Sequence, residues 1–121
     1  MTPIKPITTN PSAVHTIERL NELAALTEIG QRRLRDLVNI VETASNLGFN
    51  NTHSFTTEDE FGITLHIGVC DEYELIMELK EEGPLSIQIT ELSGDVTVRS
   101  EAGIDEATFL LRMLAKVRYS K

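Results

Sequence analysis

At Phe61 the spacing of apolar residues changes from three or four to two, and the switch divides the chain into a helical first half and a sheet-forming second half. Before it, Val14, Ile17, Leu20 and Leu23, then Leu34, Leu37, Val41 and Ala44, recur at helical spacing along one stripe. After it, Phe61, Ile63, Leu65, Ile67 and Val69 alternate with Gly62, Thr64, His66, Gly68 and Cys70, the pattern of a strand with one buried face. Tyr73, Leu75, Met77 and Leu79 repeat the alternation, as do Leu85, Ile87 and Ile89, and then Val96 and Val98. A shorter strand, Thr52 to Thr57 with Phe55 at its centre, precedes them, and a stripe of Phe109, Leu110, Met113, Leu114 and Val117 closes the chain as a helix. The expected class is α+β: a long N-terminal helix, a four- or five-stranded antiparallel meander sheet with helices on one face, and a C-terminal helix.

Local signals set the ends of these elements. Asn10 before Pro11 predicts a helix start, because Asn caps free amides and Pro at the first helical position has none to satisfy. Gly48 after Leu47 predicts a left-handed helix end, with Phe49 folding back on the last turn. Asp105 is the expected cap of the last helix, with Ile104 before it as a staple onto Phe109. Parity then constrains the hairpins, since a slip of one residue would turn an apolar row outward. Odd positions face inward in the strands from Phe61 to Ile89, so their loops need an odd count, which Glu81-Glu82-Gly83 supplies with Gly in the left-handed place. Val96 and Val98 switch the inward parity to even, which Ser93-Gly94 accommodates.

The long helix poses a problem of length. From Pro11 to Leu47 it would run roughly 55 Å, whereas an eight-residue strand spans about 26 Å. Either it breaks at Gly30 into a hairpin, or its free half packs on a second copy. The stretch Glu28-Ile29-Gly30-Gln31-Arg32 holds one Gly and no Pro or Asn, which favours self-association through Val14, Ile17, Leu20 and Leu23.

A length of 121 residues suits one domain, read here as residues 10–121 after a flexible arm of residues 1–9 that carries Pro3 and Pro6. With no secretory signal pattern, no apolar run of about twenty residues and one cysteine, Cys70, the expected setting is the cytoplasm. The acceptor pattern Asn50-Asn51-Thr52 is then a chance match.

The search for chemistry yields no catalytic residue, metal ligand set or cofactor motif. His66 and Cys70 share an outward face, but four strand residues separate them by roughly 13 Å, too far for a nucleophile and its base. A metal reading that adds Glu74 or Glu78 has no motif behind it. His15 and His53 read as solvated. Phosphate-loop, zinc-protease, serine-hydrolase and calcium-loop patterns are missing, so an enzyme is the less favoured class. Arg32, Arg33 and Arg35 read as a solvated helical face.

Charge is the informative signal. Residues 1–50 hold five basic and five acidic side chains, while residues 51–121 hold six and fourteen and so account for the whole net charge of −8. Such acidity opposes direct binding of nucleic acid through its phosphates. In an up-and-down meander, Glu58, Asp59, Glu60, Glu81, Glu82, Glu101, Asp105 and Glu106 fall at one end, which makes that end the candidate partner-binding surface. The expected function is that of a small acidic, non-enzymatic binding protein: a homodimeric adaptor, chaperone or inhibitor of a basic protein surface or other macromolecule, by nucleic-acid mimicry in one version. The rival is a small-molecule or catalytic domain with its pocket between sheet and helices.

Overall fold

The helical half folds as two antiparallel helices rather than one. The computed structural model describes residues 2–27, 29–57, 61–91 and 96–119, apart from the side chains of 96–99 and 117–119. Helix α1 spans Pro11–Leu26 and begins as its sequence dictates, with the Asn10 side chain accepting from the Ala13 amide and Pro11 in the first turn. It stops at Thr27, which is extended, and α2 starts at Gln31 and runs to Asn46. Between them Ile29 turns into the core and is 2% exposed. Each helix has 16 residues, about 24 Å at 1.5 Å per residue, which matches the roughly 23 Å of a seven-residue strand. The excess length of a continuous helix is removed by doubling back.

Doubling back also consumes the apolar stripe that favoured self-association. Ile17, Leu20 and Leu23 are buried in their own chain against Leu34, Leu37, Val41 and Ala44, and only Val14 of the four keeps partial exposure. Helix α2 ends in the expected left-handed turn: Gly48 has φ of 88°, its amide donates to the Ser45 carbonyl, and the Phe49 amide donates to that of Ala44. Phe49 is fully buried beneath the turn.

The sheet is an antiparallel meander in sequence order: β1 (Thr52–Thr56), β2 (Ile63–Gly68), β3 (Tyr73–Leu79), β4 (Leu85–Glu91) and β5 (Val96–Ala102). Its parity is the one the alternation requires. Leu65 lies opposite Met77 and Met77 opposite Ile87, so odd positions share the inner face of β2, β3 and β4. Ile87 then pairs with Ser100 and Ile89 with Val98, which realises the switch to even parity before a bulge at Ile89/Thr90. The β3–β4 connection, residues 80–84, has the expected odd count, and Gly83 within it has φ of 94°, the left-handed place expected for it. Ser93 and Gly94 lie outside the described residues. One aromatic assignment changes, since β2 starts at Ile63 and leaves Phe61 exposed before it; in β1, Thr52 and Ser54 take the inner positions and Phe55 faces outward.

Helix α3 (Ile104–Tyr119) follows β5 directly. Gly103, not Asp105, is its cap, since the Gly103 carbonyl accepts from Ala107. The buried stripe also differs from the one expected. Ala107, Leu111 and Ala115 enter the core, with Ile104, Leu110 and Leu114 beside them, while Phe109 is 62% and Met113 48% exposed. Small alanines let α3 approach α2 closely, and the bulky pair is left on the opposite face, so no staple forms between Ile104 and Phe109.

Residues 2–9, read from the sequence as an arm, lie extended along α1 and α2. The Asn21 side chain both accepts from the Ile4 amide and donates to its carbonyl, at 2.8 Å each. Glu42 accepts from the amides of Ile7 and Thr8, and Gln31 pairs with the main chain of Thr2.

Two measurements test this arrangement. Leu20→Glu places a carboxylate in the α1–α2 core and should lower stability by about 4 kcal/mol or more in urea unfolding, whereas a solvent-facing seam would tolerate it. Gly30 caps α2 in an ordinary extended conformation (φ −79°), with open space where a Cβ would stand and no side-chain cap bond. Gly30→Ser should therefore add about 0.5–1 kcal/mol by capping and by stiffening the unfolded chain. A loss of stability would show that the hairpin needs glycine's freedom.

Candidate binding surface

The candidate surface is assembled by the meander. Strands β1, β3 and β5 run toward one end, and the hydrogen bond from the Thr57 amide to the Gly62 carbonyl, the β3–β4 hairpin and the β5–α3 junction all lie there. Glu81 and Glu82 are exposed on the hairpin, Glu101 near the end of β5, and Asp105 and Glu106 in the first turn of α3. Glu58, Asp59 and Glu60 lie outside the described residues. The described part of the predicted acidic set is thus brought to a single end.

That end is not purely acidic. Arg33, in the first turn of α2, reaches the hairpin and donates from Nε to the Lys80 carbonyl at 2.8 Å and from a terminal nitrogen to the Gly83 carbonyl at 2.7 Å. The guanidinium's forked donors fit two carbonyls of a tight turn. This corrects the reading of Arg33 as merely solvated, while Arg32 and Arg35 are exposed. Both α2 and α3 begin at this end, so the positive poles of two helices face the carboxylates. Asp105 and Glu106 have a structural reason to be there. Glu81, Glu82 and Glu101 have no counterpart of that kind: among the described residues they form no ion pair.

The outer face of the sheet carries a separate polar cluster. His66 Nδ1 lies 3.1 Å from Glu74 Oε1, and Phe55 meets the His66 ring edge-on at 5.2 Å between centroids. His53 sits directly opposite His66 in the β1–β2 register and bonds to Asn51. A shallow hollow of about 500 Å³ lies beside them, lined by residues that include Thr64, Glu78 and Lys80. Cys70 is exposed in the turn after β2 rather than on the strand, so it and His66 are not a pair on one face. Among the described residues no group of three His, Cys, Asp or Glu side chains converges as metal ligands. Between sheet and helices, where the rival reading placed a pocket, the space is filled by Leu65, Leu75, Leu37 and Val41, all at zero exposure. No helix among the described residues is long and apolar enough to cross a membrane.

The double variant Cys70→Ser/His66→Ala tests whether this cluster is more than surface. It should keep the fold, with a stability change of about 1 kcal/mol or less, because the His66–Glu74 contact is partly solvated and the thiol is exposed. A much larger loss in urea unfolding would mark the outer cluster as structurally essential. Comparison of the chain with protein-family models, with curated proteins and with solved structures gives no match.

Proposed function

We propose that this chain is a binding protein of the adaptor, chaperone or inhibitor type, and that it engages a basic surface of a macromolecular partner through Glu81, Glu82, Glu101, Asp105 and Glu106. The observation that carries the reading is the placement of Glu81, Glu82 and Glu101. They are exposed at one end of the sheet, on two separate segments that the meander brings to the same side, and no described cation pairs with them. Like charges gathered in this way repel one another, and a cationic partner relieves the repulsion. The helix–sheet interface supports the same reading, because its described residues are packed apolar side chains that leave a metabolite no room between them.

Recognition of this kind acts on encounter more than on residence. Exposed charges are screened beyond roughly 10 Å at 0.1 M salt, so association should slow steeply as salt rises while dissociation changes little. Affinity capture at low salt with mass spectrometry supplies the partner, and surface plasmon resonance then compares variants. Glu81→Lys/Glu82→Lys/Glu101→Lys should cut the association rate at least tenfold with the circular dichroism spectrum unchanged. Asp71→Lys/Glu72→Lys, in the β2–β3 turn at the opposite end, serves as the control and should leave the rate within about twofold. Equal losses from both variants would reduce the acidic end to a solubilising surface.

A further inference from the structure

Helix α3 presents a stripe that the fold leaves uncovered and that is complementary to itself. Glu106, Phe109, Met113 and Lys116 are spaced three, four and three residues apart, so they lie along one face of the helix, and all four are exposed. At about 100° per residue this face is diametrically opposite Leu111, the residue that α3 buries most completely together with Ala107. The stripe is apolar at its centre, with an anion at one end and a cation at the other.

The order of these side chains selects the occupant. A two-fold axis passing beside position 111 and perpendicular to the helix turns α3 onto a second, antiparallel α3. Phe109 then lies opposite Met113 of the second copy, and Glu106 opposite its Lys116, each pairing occurring twice. A two-fold contact keeps the lateral offset of each side chain, so Phe109 and the Met113 of the second copy, which lean to opposite sides of the stripe, sit side by side across the seam, as do Glu106 and Lys116. We infer that this stripe is the self-association surface of the protein and that its occupant is α3 of a second copy of this chain. The apolar contact is aromatic against thioether, a favourable pairing, and the flanking ion pairs fix the antiparallel direction, because a parallel arrangement would set Glu106 against Glu106 and Lys116 against Lys116. The self-association expected from α1 thus finds its surface on a different helix. Glu106 also belongs to the acidic end; in the dimer it pairs with Lys116 of the second copy, so the partner-binding reading then rests on Glu81, Glu82 and Glu101, and the inference does not depend on that end binding a partner.

One helix on each side makes a small interface, so the dimer should be weak, with a dissociation constant on the order of 10–100 μM. Sedimentation velocity from 5 μM to 1 mM tests it. The wild type should shift from monomer to dimer over that range. Glu106→Lys alone and Lys116→Glu alone each set like charges against one another and should raise the dissociation constant at least tenfold. The double variant Glu106→Lys/Lys116→Glu should return it to within about threefold of the wild type. Because the double variant keeps the same lysine in the first turn of α3, recovery separates an interface effect from damage to the helix. A wild type that stays monomeric at 1 mM, single variants that dimerise like the wild type, or a double variant that stays monomeric would each overturn the inference.

Discussion

A layer of helices shields a sheet only over the sheet's own height, and the interruption between Leu26 and Gln31 is what gives α1 and α2 that height. Once the chain doubles back, the two apolar stripes face each other and the sheet, and Ile29 seals the tip of the hairpin from inside. The return also fixes both ends of the layer. At one end Thr16 Oγ1 lies 2.8 Å from both the carbonyl and the hydroxyl of Thr52, which anchors α1 to the first strand. At the other, Arg33 holds the β3–β4 hairpin by its carbonyls. The left-handed turn at Gly48 then delivers the chain into β1 with Phe49 beneath it.

How much of this is legible in the residues depends on what each pattern encodes. Alternation of period two states which face each strand residue occupies, so the shared inner face of Leu65, Met77 and Ile87 and the even parity of Val98 opposite Ile89 are legible, whereas the bulge that sets Val96 opposite Thr90 is not. The break in the helix is only half legible: Gly30 marks the place, but with no Pro or Asn beside it the turn signal is weak, and what closes the turn is the buried Ile29. The face of α3 is misleading for a different reason. The large side chains Phe109 and Met113 dominate its apolar pattern, whereas close packing against α2 selects the small ones, Ala107 and Ala115. The acidic end is legible, since it needs only the meander and the positions of its loops, but the reach of Arg33 across 47 residues of sequence to Lys80 is not.

The same topology that gathers carboxylates also moderates their cost. Strands β1, β3 and β5 deliver their loops to the end where α2 and α3 begin, so the acidic side chains stand at the same end as the positive poles of two helices. Asp105 and Glu106 occupy the turn where this effect is strongest. The chain can therefore carry most of its net charge on its sheet half without that charge opposing the packing of the helices.

The N-terminal segment is held by a different logic from everything that follows it. Asn21, Gln31 and Glu42 grip main-chain amides and carbonyls, while the side chains of Thr2, Pro3, Lys5 and Ile7 face solvent. Two side chains add to this backbone clasp: Ile4 packs against the core, and the Thr8 hydroxyl lies 2.9 Å from that of Ser45. Most of its hold is through exposed or part-buried hydrogen bonds, with Ile4 its one hydrophobic contact with the core among the described residues. Amide hydrogens of residues 4, 7 and 8 are accordingly expected to exchange with solvent through local release, sooner than those of α1 beneath them.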